Sequence, residues 1–388
     1  MQCFSIWYKG KDEKKISDLN PSPQVKVHLN LWDFSLKNDL WDFLKKNGNN
    51  TFPALDIGIE IQNILELEKV TLFIPVSYDE ITIEDLSGKL HIPETNQLVF
   101  NMPCEFRSDD DCSRLFKDNM EFLLCPVHKP VNGKEEYETA CYQEQGITCV
   151  TINCANITSL ERYQKKNINN IYCRFRIFGT VLLDVLFNKI KRNSDWFLVS
   201  GHISRKIVDL RINRERDIDA TLRKKMEGNS FELVSMQQVN FLIMEPVSNE
   251  ILTTEGENMT SRIVESGWDD YIGGVPNIKK QLDDHNIMAY HWKQDEEQPK
   301  KSYSKMVRIN EYQSTIIMVI VYIFIILLLG ILGSVCGSII FELFVKPCKA
   351  FLYFQDILSP IQNMLPQTQE GAPADLSSIG FAFLTMII

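Results

Sequence analysis

Residues 54–62, ALDIGIEIQ, carry apolar side chains at every second position, and VKVHLN at 25–30 alternates in the same way. A period of two sends successive side chains to opposite faces of an extended chain, so both stretches predict strands, the second a half-buried one. KVTLFIPVS (69–77) is a continuous apolar run rich in β-branched residues, closed by Pro75 and Ser77, and predicts a third. Further strand patterns are QLVFNM (97–102), FLLCPV (122–127), GITCVTI (146–152), IYCRFRIFG (171–179), WFLVSGHIS (196–204), KIVDLRIN (206–213), FELVSM (231–236), VNFLIMEPV (239–247) and IMAYHWK (287–293). YDEITIEDLSGKL (78–90) reads as a short helix or turn ended by Gly88.

Helical period stands out at Leu36–Lys46, Gly179–Lys191 and Arg216–Glu227, the last mostly charged and predicted to lie on the surface. The Leu-Trp-Asp-Phe tetrad occurs twice, at 31–34 and 40–43, and is read as core. Frequent short strands with few long amphipathic helices predict an α+β, β-rich soluble domain over residues 1–292. A sandwich is one arrangement these strands allow, and two lobes would divide near 155–175. Residues 293–311 are charged, contain Pro299 and lack an apolar face, which predicts a linker that does not pack.

From Tyr312 to Phe341 the pattern changes character, because no Asp, Glu, Lys, Arg or His interrupts the run. A helix rises about 1.5 Å per residue, so some 20 apolar residues cross the roughly 30 Å hydrocarbon core of a bilayer. Residues 312–342 are therefore expected to form a C-terminal transmembrane helix. Gly330, Gly333, Ser334, Gly337 and Ser338 gather on neighbouring faces of its second half, where small side chains let two helices approach. The expected partners are thus the bilayer and either further copies of the chain or another membrane protein. In residues 343–388, CKAFLYFQDILSPIQNMLP suits an interfacial helix, QTQEGAPADLSS a loop, and IGFAFLTMII a partial second apolar segment.

Lys300, Lys301, Lys305 and Arg308 precede the run, against Lys346 and Lys349 after it. That asymmetry predicts a cell-membrane protein with its N-terminal domain cytoplasmic. The opening MQCFSIWYKGKDEKK has no apolar stretch after a basic start, so it does not read as a signal peptide. A net charge of −10 argues against a broad electrostatic grip on nucleic acid.

Seven of the 10 cysteines fall between Cys104 and Cys173. Such clustering fits buried thiols, a metal site or disulfides, and sequons at Asn49, Asn156 and Asn258 belong with the last. Cys125 and His128 have the spacing of a zinc ligand pair. Cys104 and Cys112 are candidates for the other two ligands, but stand too far apart for a knuckle. No cofactor is predicted, and structural zinc is retained as the alternative.

No Gly-x4-Gly-Lys-Ser/Thr loop or Gly-x-Gly-x-x-Gly turn is present, Ser200-Gly201-His202 lacks the nucleophile-elbow frame, and Asp109, Asp110 and Asp111 diverge along the chain. No catalytic residue is assigned. Arg174 and Arg176 share a strand face, as do Asp209 and Arg211, and Arg214 follows. Cross-strand ion pairing on a solvated sheet is one reading of this set; an anion or partner contact by Arg174, Arg176, Arg211 and Arg214 is the other.

The layout of a folded domain on a C-terminal membrane segment resembles that of many bacterial membrane effectors and sensors, including those of phage defence. By that analogy in layout the chain is expected to be a non-enzymatic, membrane-anchored protein whose cytoplasmic domain senses or binds a partner. The alternatives are a membrane-tethered hydrolase or nuclease without a detectable motif, and an extracytoplasmic receptor-like domain with disulfides.

Overall fold

The alternation of residues 54–62 appears as β3 (Ala54–Gln62), with Leu55, Ile57, Ile59 and Ile61 on one face and Asp56, Gly58 and Glu60 on the other. Its neighbours are β2 (Gln24–Trp32) and β11 (Asn170–Phe178), both antiparallel to it. This computed structural model describes residues 3–15, 18–33, 53–100, 102–109, 112–128, 139–144, 146–164, 169–189, 203–252, 259–264, 268–272, 287–312, 316–346 and isolated positions between 349 and 359.

Among the described residues the strands form three sheets. The five-stranded sheet runs in the order β14 (Phe231–Leu233), β1 (Ser5–Gly10), β4 (Leu67–Ile74), β10 (Ile147–Ile152), β9 (Thr139–Glu144). The ten-stranded sheet runs β17 (Met259–Ile263), β18 (Ile287–Lys300), β15 (Met236–Pro246), β2, β3, β11, β8 (Met120–Leu124), β7 (Cys112–Lys117), β6 (Glu105–Asp109), with β5 (Thr82–Asp85) pairing β11. In the four-stranded sheet the order is β12 (Phe187–Lys189), β13 (Ile203–Ile212), β19 (Tyr303–Tyr312), β16 (Glu250–Leu252). All ladders are antiparallel except β2 with β15 and β8 with β11.

One core joins the three sheets. It contains Ile57, Ile59, Phe175 and Phe241 from the large sheet, Ile6, Leu72 and Val150 from the five-stranded sheet, and Val208, Val307 and Ile309 from the four-stranded sheet. Burying each such side chain stabilises the fold by about 1.5–3 kcal/mol, an upper estimate against a compact unfolded chain. The opposite face of β2, β3 and β11 is covered as well. There Trp32, Ala54 and Tyr172 pack with Val99 and Phe100 of α1 (Pro93–Phe100) and with Trp268, Tyr271 and Ile272 of a short helix at Trp268–Ile272. β2 is thus more than half-buried: His28 and Asn30 on its polar face are 5% and 1% exposed.

Several expectations change. QLVFNM runs through the end of α1 rather than a strand; Pro93 opens the helix with a preset φ, and Val99 and Phe100 are buried on it. The helix expected at Gly179–Lys191 is cut to Leu182–Leu186, because the chain turns extended at Phe187 and pairs with β13. Residues 293–311 are not a linker: β18 pairs with β15 as far as Lys300, and β19 pairs with β13 along its whole length. Ladder hydrogen bonds are made by backbone, so a charged composition does not prevent them, and Tyr303, Val307 and Ile309 supply the buried face. The segment 155–175 runs into β11 at the heart of the large sheet.

The helical period at 216–227 appears as Ala220–Gly228, capped by Asp219, which accepts from Thr221 N and Leu222 N. Leu222 and Met226 are its buried residues. The helix expected at Leu36–Lys46 and the second Leu-Trp-Asp-Phe copy lie outside the described residues; Trp32 of the first copy is fully buried.

Residues Met1–Ile316 form one unit and Ile317–Ile388 another. The second contains all but the first residue of the helix Ile316–Ile340, extended by a π turn at Phe341–Val345. Tyr322–Val345 is long and apolar enough to cross a membrane, and most of its leucines and isoleucines are exposed. Described positions between 349 and 359 are helical; the expected loop and partial second apolar segment lie outside the described residues.

Candidate functional site

The polar face of the central strands is organised in rows set by register. Asn30, Asp56 and Arg176 stand side by side across β2, β3 and β11, then His28, Gly58 and Arg174, then Lys26, Glu60 and Tyr172. Asp56 accepts from Arg176 Nε at 2.5 Å and Nη2 at 3.1 Å, from Trp32 Nε1 at 2.8 Å and from Tyr271 Oη at 2.9 Å. Arg174 donates from Nε to Tyr271 Oη at 2.6 Å and from Nη1 to Tyr172 Oη at 3.0 Å. Burial opposes ionisation of Asp56, but the two guanidiniums outweigh it and hold the carboxyl below its ordinary range. Beside this network, Glu60 binds Lys117 at 2.5 Å and Lys26 at 3.3 Å. Burial, reinforced by Lys117, keeps His28 neutral, down at about 3.

Gly58 makes the middle row possible. A Cβ at this position would collide with Tyr172 Oη and lie 2.9 Å from Arg174 Nη1. Gly58→Ala is expected to lower stability by about 1–3 kcal/mol through this overpacking. Urea unfolding followed by tryptophan fluorescence checks it; an unchanged midpoint would show that the network is looser than described.

These contacts correct the reading of the arginines. Arg174 and Arg176 are fully buried and donate to internal groups, so neither is a surface anion contact nor part of a solvated sheet face. They pair with Asp56, while Asp209 and Arg211 lie on β13 in another sheet. Arg211 binds Asp209 at 2.5 Å and Asp217 at 2.9 Å, and Arg214 binds Asp217 at 3.4 Å. Four candidate metal ligands, Cys104, Cys112, Cys125 and His128, are not brought together; among the described residues no group of three or more His, Cys, Asp or Glu is placed to hold a metal. Burial raises Cys149 and Cys154 to about 12, which leaves both unreactive.

A second ionisable cluster, not singled out from the sequence, joins two sheets. Lys206 on β13 contacts Asp33, which follows β2, and lies 3.2 Å from Glu245 on β15 and 2.5 Å from Glu311 on β19. All four are buried. Burial alone would depress the lysine, but the three carboxylates outweigh it and raise Lys206 above its ordinary range. The only signal in sequence is an acid or lysine at an inward position of an otherwise apolar strand, as in FLIMEP and RKIVDL. That signal does not say which strands meet.

Two surface clefts flank the helix Ala220–Gly228. One, of about 830 Å³, is lined by Phe73, Val76, Ile147, Asp217, Asp219 and Leu222 among others. The other, of about 810 Å³, includes Trp7, Tyr8, Phe231, Leu233, Arg223 and Glu227. Both mix apolar walls with charged rims and offer concave surface to a ligand or peptide.

Searches of protein-family models and of curated proteins each give no match to the chain.

Proposed function

We propose that the chain is a non-enzymatic, membrane-anchored protein whose β-rich head binds a partner on the cytoplasmic side and whose apolar helix assembles with copies of itself or with another membrane protein. The observation that carries this reading is the connection. β19 is an inner strand of its sheet, and only residues 313–315 separate Tyr312 from the helix at Ile316. Three residues span at most about 11 Å, far less than a long tether would. The small-residue face of Gly330, Gly333, Ser334, Gly337 and Ser338 supplies a surface for helix pairing.

Energy transfer between labelled copies in liposomes tests the assembly. Gly333→Leu with Gly337→Leu is expected to reduce transfer severalfold at equal lipid-to-protein ratio, because bulky side chains hold the backbones apart. Unchanged transfer would remove these residues from any pairing face.

A further inference from the structure

Among the described residues of the head, Leu65, Val247, Leu252, Ile263 and Met306 are large apolar side chains between 42% and 60% exposed. Scattered singly, such residues need no explanation; gathered at one place, they mark a contact surface. Strand register gathers three of them. Ile263 on β17 stands opposite Met288 on β18, which stands opposite Glu245 on β15, just before Val247. Asn249 N donates to Pro246 O at 2.8 Å, so Val247 occupies the tip of the turn that leads from β15 into β16. In β16, Glu250 pairs with Asn310 and Leu252 with Arg308 of β19. The turn therefore lies level with Tyr312, where β19 ends and the chain leaves for the apolar helix at Ile316. Turn tips favour Gly, Asn, Asp and Ser, so local geometry does not call for a valine there. Leu65 sits at the other end of the head. It follows β3 beyond Gln62, whereas Ala54 of β3 pairs with Trp32 of β2, itself opposite Met244 of β15. The length of β3, roughly 26 Å, separates the two ends.

We propose that this end of the head rests on the bilayer surface: Val247 and Ile263 enter the lipid interface, and Leu252 lies at its edge. Covalent connection decides the occupant. Gln313, Ser314 and Thr315 join Tyr312 to Ile316, where the apolar helix opens, and four peptide steps hold the two residues within about 15 Å of each other. A single helix is already about 10 Å across, so a folded partner has no room between the turn and the lipid unless the connection is fully drawn out. Exposed charges at this end fit the same occupant. Arg205 on β13 stands opposite Asn310, Arg308 stands opposite Leu252, and both arginines are exposed. Their stems lie along apolar surface while the guanidiniums reach lipid phosphates. Glu250 is the exposed carboxylate in the same rows, and it accepts from Asn310 Nδ2 at 3.2 Å. Met306 is on the same strand as Arg308 but about 20 Å back from Tyr312, outside the contact. The contact rests on the membrane anchor proposed above and holds for either orientation of the head.

A photo-crosslinking amino acid placed at single positions of the full chain, reconstituted in nanodiscs of mixed phosphatidylcholine and phosphatidylglycerol, tests it. The head positions probed are all exposed, so the probe leaves the core intact, and Leu327 in the apolar helix supplies the reference yield. Lipid adducts at Val247 and Ile263 are expected to exceed those at Leu65 and Met306 severalfold, with Leu252 between. Val247→Asp should lower the Ile263 yield severalfold, because a charge at the turn tip holds that end off the lipid. Equal yields at all the head positions, with Leu327 still labelling lipid, overturn the contact and leave the anchor standing; so does an Ile263 yield indifferent to Val247→Asp. Adducts at no position, Leu327 included, remove the anchor and the contact with it. Crosslinked dimers in place of lipid adducts at Val247 and Ile263 put a second copy on this surface and overturn the contact as well.

Discussion

Asp56→Ala is expected to destabilise the head by about 3–5 kcal/mol, the usual cost of leaving a buried charge without its partner. The carboxylate it removes accepts from Arg176, Trp32 and Tyr271 and is the fully buried acid beside Arg174. Truncation leaves two guanidiniums, both fully buried, with Glu84 at 3.7 Å from Arg176 as the nearest remaining carboxylate among the described contacts. Against a typical total of ~5–15 kcal/mol this is a large share, and it translates to roughly 10 °C in melting temperature. The change should also detach the Trp268–Ile272 helix, because Tyr271 bonds to both Asp56 and Arg174. Adding Arg176→Met should recover part of the loss, since removing both partners costs less than stranding one. Differential scanning calorimetry measures both effects. A loss below about 1 kcal/mol for Asp56→Ala would mean that water already reaches the arginines.

Lys206→Met should be comparably severe, but with a pH dependence that sets it apart. Without the ammonium, Glu245, which burial already pushes well above the ordinary carboxylate range, loses the cation that opposes its protonation. Its raised affinity for protons in the folded state means that stability is present at acid pH and falls as pH rises. The expected loss is about 3–5 kcal/mol at pH 8 and clearly smaller at pH 5. Asp56→Ala leaves unpaired arginines, which do not titrate in this range, and should show no such acid rescue. Melting curves of the two variants at pH 5 and pH 8 compare these behaviours directly. An equal loss for Lys206→Met at both values would show that the carboxylates find other cations.

Strands were legible where alternation was strict. Residues 54–62 appear as β3 with unchanged bounds, because period two and β-branched side chains agree with the tertiary setting. What covers the polar face was not legible. Asp56 meets Tyr271 across 215 positions, and Lys206 meets Glu311 across 105, so no local pattern announces either contact. The same blindness turned buried arginines into a surface contact: Arg174 and Arg176 on one strand face read as solvated, since outward and covered faces share a period. Charge misled in 293–311 too, where ladder pairing depends on the neighbouring strand rather than on the side chains. The apolar helix was easier to see, because length and composition alone make it a candidate to cross a bilayer.

Protease treatment of the full chain in sealed membrane vesicles of inverted orientation bears on the central claim most directly. With the head anchored on the cytoplasmic side, the protease should digest residues before Ile316 from outside the vesicle and leave a membrane-embedded fragment containing the apolar helix. A head protected until detergent is added would contradict the orientation, and a chain that washes from the vesicles with carbonate would contradict the anchor itself.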